Sequence, residues 1–260
     1  MTATILVTGG TGTLGRLVVP LLREAGNEVR VLSRSAREPR DGVRYFAVDL
    51  LKGEGIEPAV AGVDIVLHLA GGAKGDDVAT ANLVRAASAA GVRHLVYISV
   101  IGADRMPIGY FRAKRGAELA IADSGIPWTT LRAAQFHDFA LNAVRAMAKM
   151  PFIPSPGGLR FQPVDARDVA ERLVTLALAA PAGLVPDITG PKVYGMADLA
   201  RSYLRAIGKR RPTLPIRVPG KIGKAYRAGD NLSLDATTGT RTWEAFLTDH
   251  LTTPHPAPTH

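Results

Sequence analysis

A doubly wound, parallel α/β sheet is the fold class this sequence predicts, and three observations predict it. Short runs rich in Val, Ile and Leu alternate repeatedly with stretches of helical periodicity about ten to fifteen residues long, the rhythm of strand and crossover helix. The runs are apolar almost throughout instead of alternating, as strands covered on both faces are. The first of them empties into glycines at 9, 10, 12 and 15, a strand-to-helix turn nearly free of side chains.

Thr4 to Thr8 is the first strand, and apolar residues at 14, 17, 18, 21 and 22 line one face of the helix that follows. Counted from Gly10, the turn reads G-x-G-x-x-G. Glycine there lets the chain turn sharply, lets a diphosphate approach backbone N–H groups, and packs helix closely on strand. The anion then sits at the positive end of a helix. Thr8, Gly9, Gly10, Thr11, Gly12, Thr13, Leu14 and Gly15 are therefore candidate dinucleotide contacts; a glycine-rich turn without a ligand is the plainer alternative.

Asn27 to Ser33 reads as the second strand. At its end an acidic residue would hold the ribose 2′-hydroxyl of NAD, whereas arginine accommodates the 2′-phosphate of NADP. The sequence offers Ser33-Arg34-Ser35-Ala36-Arg37, so Ser33, Arg34 and Arg37 favour NADP, with NAD still possible and a solvated basic loop the alternative. Val43 to Val48 is a third strand; Asp49 and Leu50 behind it lie within reach of an adenine, although the aspartate serves equally as a turn cap. After a short helix at 57–61, Val63 to Gly72 is a buried fourth strand that delivers Leu69, Ala70 and Gly71 to the carboxyl edge, where open α/β sheets bind ligands. His68, inside that apolar run, reads as a core histidine before a catalyst. A helix over 77–90 leads to a fifth strand, His94 to Ser99.

The next helix opens with Gly109-Tyr110-Phe111-Arg112-Ala113-Lys114, so Tyr110 and Lys114 share a face. An ammonium beside a phenol favours the phenolate, which lowers the tyrosine pKa toward use as a general acid or base. Ser99, at the end of the neighbouring strand, holds a substrate oxygen in the same arrangement, making Ser99, Tyr110 and Lys114 a coherent catalytic set. Tyr/Lys pairs at this spacing also occur as plain surface residues.

Ile126 to Arg132 is a sixth strand, and Gln135, Phe136 and His137 beyond it are the first candidates for nicotinamide or substrate contact. Alternatively Phe136 and Phe139 seed a core and His137-Asp138 cap a helix. That helix is expected over 140–149, a loop with an apolar side over 150–158, a helix from Asp165 to Ala180, a strand over 184–190 and a helix over 195–208. From 205 to 229 the chain carries eight basic residues and no acidic one. Without interleaved aromatics this reads as a solvated surface, not a nucleic-acid face. Residues 1–250 are assigned to a single domain, with a substrate lobe built mainly from 133–165 and 185–250, and 251–260 to a disordered tail.

Composition narrows the function further. With 47% hydrophobic and 21% charged residues over 260 positions, the chain suits a globular protein with a substantial core. The absence of cysteine excludes disulfides, thiolate metal sites and cysteine nucleophiles, and no metal-ligand spacing is found. No apolar run is long enough to span a bilayer and no signal peptide is visible, so a cytoplasmic location without a membrane partner is expected. The net charge of +9 favours anionic ligands without choosing among them.

Taken together, the 8–15 turn, Asp49-Leu50, Asn82 to Ala87, Val96 to Ser99, Tyr110 to Lys114, Trp128 to Arg132 and Val164 to Ala170 resemble the short-chain dehydrogenase/reductase superfamily, and more narrowly its atypical, NmrA-like NAD(P)-binding branch. The resemblance implies a Rossmann-type sheet with extended NAD(P) and a small C-terminal lobe closing a substrate cleft. It also implies roles: Tyr110 exchanges a proton, Lys114 lowers its pKa and fixes the ribose, and Ser99 positions the oxygen. The expected activity is NADP-dependent hydride transfer to a small carbonyl, quinone or related substrate. A non-catalytic redox sensor of NmrA type is the alternative, and oxygenation or isomerisation of a polycyclic quinone a third. Oligomeric state is left open.

Overall fold

The computed structural model describes residues 2–72 and 75–252. Its first half is a strict alternation of β1 (Thr4–Thr8), α1 (Gly15–Glu24), β2 (Glu28–Ser33), β3 (Arg44–Ala47), α2 (Glu57–Val60), β4 (Ile65–His68), α3 (Asp76–Ala89), β5 (His94–Val100), α4 (Gly109–Ala122) and β6 (Trp128–Ala133). These six strands are parallel and lie in the order β3-β2-β1-β4-β5-β6. The order reverses between β1 and β4, and an open α/β sheet binds ligands in the crevice outside the carboxyl ends at such a reversal.

Both faces are covered, which explains the unbroken apolar runs. Ile5, Val7, Val31 and Leu67 point toward α1 and the later helix α6 (Ala166–Ala177), whereas Leu6, Val66, Leu95 and Tyr97 point toward the face of α3 and α4. All seven residues of β5 are buried.

After β6 come α5 (His137–Ala148), β7 (Ile153–Pro156), β8 (Arg160–Phe161) and α6, then β9 (Gly183–Leu184), β10 (Ile188–Thr189), β11 (Tyr194–Gly195), α7 (Met196–Ala206), β12 (Thr213–Ile216), α8 (Gly220–Ala228), β13 (Thr237–Thr238) and α9 (Trp243–Thr252). β9 and β10 run parallel to β6, and β13 extends the sheet beyond β10. α5, α7 and α9 share a core of their own around Leu141, Val144, Tyr203, Trp243 and Phe246.

Several sequence expectations change here. The strand expected over 184–190 is split, because Pro186 in its middle has no N–H for the ladder. The helix expected from Ala140 begins at His137, and the 150–158 loop contains β7, paired in parallel with β12. The basic 205–229 stretch is ordered into β12 and α8, and Ala225 buries against Val100, Met106 and Phe111. Leu251 belongs to helix α9 instead of a disordered tail; residues 253–260 of that tail lie outside the described residues.

Candidate active site

The glycine turn is a set of close approaches. A Cβ at Gly9, whose φ is +67°, would stand 2.8 Å from the Ala70 nitrogen; one at Gly10 would meet Val31 of β2 at 2.7 Å; one at Gly15 would fall 2.4 Å from the Gly10 Cα. Three of the four glycines thus let β1, β2, β4 and α1 converge. Gly12 differs, since its Cβ would meet only the Gly9 carbonyl oxygen, at 3.3 Å, and it lines the open cleft. Gly12 N–H donates to Gly9 O at 3.0 Å and Arg16 Nε to Thr11 O at 2.9 Å, which fixes the loop. Among the described residues the N–H groups of Thr13, Leu14 and Gly15 have no backbone acceptor, as expected at a helix start. They form a donor-rich cradle at the positive end of α1, an environment that suits a diphosphate.

Thr8 is fully buried, contrary to its assignment as a cofactor contact. Its Oγ1 accepts from Leu69 N–H at 3.1 Å and Ala70 N–H at 3.0 Å and lies 2.6 Å from His68 Nδ1. His68 Nε2 in turn meets Thr80 Oγ1 at 3.0 Å. Burial, and then the nearby Lys114 charge, push His68 down to about 3, so the ring stays neutral and is the core histidine the sequence suggested. This chain ties β1, β4 and α3 together directly behind the turn.

At the far wing, Ser33 ends β2 with its hydroxyl bonded to Ser35 O at 2.5 Å. Arg34 and Arg37 are exposed and have no carboxylate partner among the described residues. Asp49 Oδ1 accepts from Leu51 N–H at 3.0 Å, the turn-capping alternative, and Asn82 Nδ2 holds Leu50 O at 2.9 Å. A 2′-phosphate at the end of β2 would find two unengaged guanidinium groups.

A cleft of about 750 Å³ runs from this turn across the carboxyl edge of the sheet. It brings together Gly12 to Gly15, Leu69 and Gly71, Ser99, Tyr110 and Lys114, and Gln135 with Phe136. The outer wall is aromatic and apolar: Phe139, Phe161, Met196, Leu199 and Tyr226. Tyr226 comes from α8, Met196 and Leu199 from α7, and Phe161 from the short β8, with the Phe161 and Tyr226 rings 5.6 Å apart. Phe139 is 67% exposed at the rim.

The charges are arranged differently from the expected lysine–phenol couple. Lys114, buried, places Nζ 2.9 Å from Asp76 Oδ2 at the start of α3, 3.5 Å from Ile98 O and 5.1 Å above the Tyr97 ring. Burial and then the negative charge of Asp76 push the Tyr110 phenol up to about 12. The expected lowering by Lys114 is not seen: burial of the phenol is the largest cause of its rise, and the Asp76 charge the second. Ser99 pairs in register with Arg132, whose guanidinium grips Glu118 through Nε at 2.8 Å and Nη2 at 2.7 Å. Burial raises the Glu118 carboxyl, but hydrogen bonding from Arg132 and Arg115 outweighs it and holds Glu118 below its ordinary range.

His137 does not reach the cleft. It is fully buried, with Nε2 3.1 Å from Pro163 O and its ring 5.0 Å from Phe246 and 5.7 Å from Trp243. Helix α5 begins at this residue, which turns the side chain under α9 and away from Gln135 and Phe136. Asp76, Phe161, Met196 and Tyr226 were missed from sequence; only Asp76, five residues past Gly71 at a helix start, carried a local signal. The basic residues Lys192, Arg201, Arg205, Lys209, Arg210 and Arg211, with Asp198 and Glu244, surround a separate surface hollow of about 440 Å³. Among the described residues no His/Cys/Asp/Glu group is arranged to hold a metal ion, and no helix is long and apolar enough to cross a membrane.

Proteins of known activity resemble this chain in sequence and in fold. A (4-alkanoyl-5-oxo-2,5-dihydrofuran-3-yl)methyl phosphate reductase from Streptomyces griseus is 33% identical over 220 residues, covering 79% of this chain and 74% of that protein. An NAD(P)H azoreductase from Xenophilus azovorans is 32% identical over 213 residues, with the same coverage of 79% and 74%. The fold is shared with an NADPH-dependent quinone oxidoreductase from Escherichia coli, solved in complex with NADPH, at a TM-score of 0.79, 21% identity and coverage of 95% and 99%. A family model described as NAD(P)H-binding matches residues 9–179, well over half of the chain, and this protein belongs to that NAD(P)H-binding family, as its resemblance to the atypical short-chain dehydrogenases/reductases implied.

Proposed function

We propose that this protein is an NADP-preferring oxidoreductase that reduces a small carbonyl, quinone or related conjugated substrate. The observation that carries the reading is the shared cleft: the donor-rich turn at 12–15 lies at one end, the Ser99, Tyr110 and Lys114 side chains at the sheet edge, and an aromatic wall opposite. The names of the two bacterial relatives, a reductase of an oxo-dihydrofuran phosphate and an NAD(P)H azoreductase, support reduction as the class of chemistry.

The residues present fit the cofactor. Gly12, Thr13, Leu14 and Gly15 would hold its diphosphate, and Arg34 with Arg37 the 2′-phosphate. When bound, the reduced nicotinamide supplies a hydride; the hard step belongs to the cofactor. The protein supplies the proton. Tyr110, held neutral by its surroundings, donates its phenolic proton to the substrate oxygen that gains negative charge, and solvent then restores it. Ser99 steadies that oxygen, while Phe136, Phe161 and Tyr226 exclude water and present flat apolar faces to a ring.

The test is NADPH oxidation with a panel of quinones, aldehydes and azo dyes, by wild type and by Tyr110→Phe. Turnover by wild type that falls by about two to four orders of magnitude in the variant, with NADPH binding unchanged, supports the reading. Equal turnover by both proteins refutes the tyrosine mechanism, and binding of NADPH with no turnover anywhere in the panel favours a sensor.

A further inference from the structure

We propose that the surface hollow of about 440 Å³ beside α7 is a binding site for a compact, multiply charged phosphate anion, a di- or triphosphate, separate from the cofactor cleft. The hollow and the cleft share no lining residue.

Local structure gathers the charge. Asp198, Arg201, Ser202 and Arg205 are spaced at i, i+3, i+4 and i+7 and so share one face of α7, whereas Met196 and Leu199 of the same helix line the cleft. Beyond the helix, Gly208 has a φ of +66° and turns the chain back, with its N–H donating to Arg205 O at 3.1 Å and Lys209 N–H donating to Leu204 O at 2.8 Å. That turn brings Lys209, Arg210 and Arg211 to the hollow that Arg205 already lines. Tyr194, Ser202 and Leu204 are buried and form its floor.

The carboxylates present are already engaged. Arg201 Nη2 donates to Asp198 Oδ1 at 2.5 Å, and Glu244 accepts from the Tyr194 hydroxyl at 2.7 Å and from Ser202 Oγ at 3.3 Å. Lys192 Nζ stands 5.0 Å over the Tyr194 ring. Six cationic side chains line the hollow against these two carboxylates, an excess of four. Among the described residues, Arg205, Lys209, Arg210 and Arg211 have no carboxylate partner. Like charges drawn to one concavity repel, and a bound anion relieves that repulsion. Part of the basic stretch expected as a plain solvated surface is thus a focused positive site.

The chemistry selects the ligand. A phosphate group carries about two negative charges at neutral pH, so two or three linked groups match the excess. Guanidinium forks take phosphate oxygens in pairs. The volume falls within the range of small-molecule sites, about 300–1,000 Å³. Tyr194 is only 3% exposed and offers no ring face for a base to stack on, which favours a small phosphorylated ligand over a single-stranded nucleic acid.

The experiment titrates sodium tripolyphosphate into the full chain by isothermal titration calorimetry at about 150 mM salt, where the Debye length is about 8 Å and only attraction at close range survives. One triphosphate per chain is expected. Arg205→Ala combined with Arg211→Ala should weaken binding by about tenfold or more. Lys209→Ala combined with Arg210→Ala should do the same, and serves if the first pair fails to fold. Lys221→Ala combined with Lys224→Ala removes two charges from exposed positions of α8 outside the hollow and should leave the affinity within about twofold. Saturating NADPH should not displace the triphosphate, because the cofactor turn is a different anion site. Phosphatidylcholine vesicles containing a polyphosphorylated phosphoinositide separate the two sources of this chemistry. Sedimentation with them that is lost in the variant of Arg205 and Arg211 makes the ligand a lipid headgroup; no sedimentation makes it a free phosphate compound, and both accord with the proposal. Absence of triphosphate binding, an equal loss in the α8 variant, displacement by NADPH, or capture of an oligonucleotide in place of triphosphate overturns it. Each of these failures leaves the reductase reading standing, since the NADPH oxidation panel decides that.

Discussion

If the turn at 9–15 grips a diphosphate, its glycines must divide into those that shape the fold and the one that faces the ligand, and alanine substitution separates them. At Gly12 the added methyl meets a single atom, the Gly9 carbonyl oxygen at 3.3 Å, and the backbone has no positive φ to strain. The stability cost is therefore at most about 1 kcal/mol, a melting shift of about 2–4 °C for a chain of this size. The methyl nonetheless stands in the cleft where the N–H groups of Thr13 and Leu14 are presented, so NADPH affinity should fall at least tenfold, about 1.4 kcal/mol. At Gly15 the methyl would lie 2.4 Å from both the Gly10 Cα and the Gly9 carbonyl oxygen, and neither is a flexible side chain. That is about 1 Å inside ordinary contact, and helix or turn must move, at a cost of about 2–3 kcal/mol and a melting shift of several degrees. Thermal unfolding and NADPH fluorescence titration measure the two effects side by side. Wild-type NADPH affinity in a normally folded Gly12→Ala variant would refute the assignment of this turn as the anion site.

Other predictions follow from the same geometry. Replacing Arg34 and Arg37 together by alanine should weaken NADPH binding by about ten- to a hundredfold while leaving NADH nearly unaffected, since the role proposed for their guanidinium groups is to hold the 2′-phosphate; isothermal titration with both cofactors checks this. His137→Ala removes a buried ring packed between Pro163 O, Trp243 and Phe246 and should cost about 3–4 kcal/mol in urea unfolding, with little change in KM, because the side chain faces the lobe core and not the cleft. Alkaline pH should destabilise the fold. The phenols of Tyr97, Tyr110, Tyr194 and Tyr226 are all raised, burial being the largest cause, so the unfolded chain loses these protons first. The stability they contribute is complete below about pH 10 and is lost as pH climbs from there toward the raised folded values. Denaturant melts at pH 8, 10 and 11 should show a falling midpoint, and an unchanged midpoint would argue against burial of these rings.

The sheet was legible in the sequence because its signals are local. A buried parallel strand is a continuous apolar run, and a glycine turn between strand and helix is read in a dozen residues; hence β1 to β6 and the crossover helices fall where expected. Ser99, Tyr110 and Lys114 share one cleft for the same reason, each sitting at the end of a strand or the start of a helix that periodicity locates. What spacing does not contain is the direction of a side chain once three elements compete for it. His137 was placed with Gln135 and Phe136, yet one residue of helical turn sends it under α9, a helix whose presence was not anticipated. Lys114 shares a face with Tyr110 as expected, but its partner lies on α3, thirty-eight residues earlier, and burial of the phenol, followed by the Asp76 charge, gives its pKa shift the opposite sign from the one expected. The aromatic wall was invisible because Phe161, Met196 and Tyr226 come from three short elements whose packing is set by the lobe, not by any repeating pattern.

This division has a consequence for how the site works. The groups proposed to hold cofactor and proton stand on the sheet edge beside short polar ties, Thr8 to the N–H groups of Leu69 and Ala70, His68 to Thr80, Asp76 to Gly72 and Lys114, and Arg132 to Glu118. These ties are short and link β1, β4, β6, α3 and α4 to one another, so the edge geometry changes little when a ligand arrives, which is the preorganisation that proton and hydride chemistry demand. The proposed substrate wall, by contrast, is assembled from several places: α7 and Phe161 of β8 belong to the α5/α7/α9 core, α8 packs against Val100, Met106 and Phe111, and Phe139 is exposed at the rim. Substitutions at Phe139, Phe161 or Tyr226 should therefore change which acceptor is reduced while leaving NADPH affinity and the Tyr110-dependent step intact. Substitutions along the polar ties should do the reverse, lowering turnover for every acceptor alike.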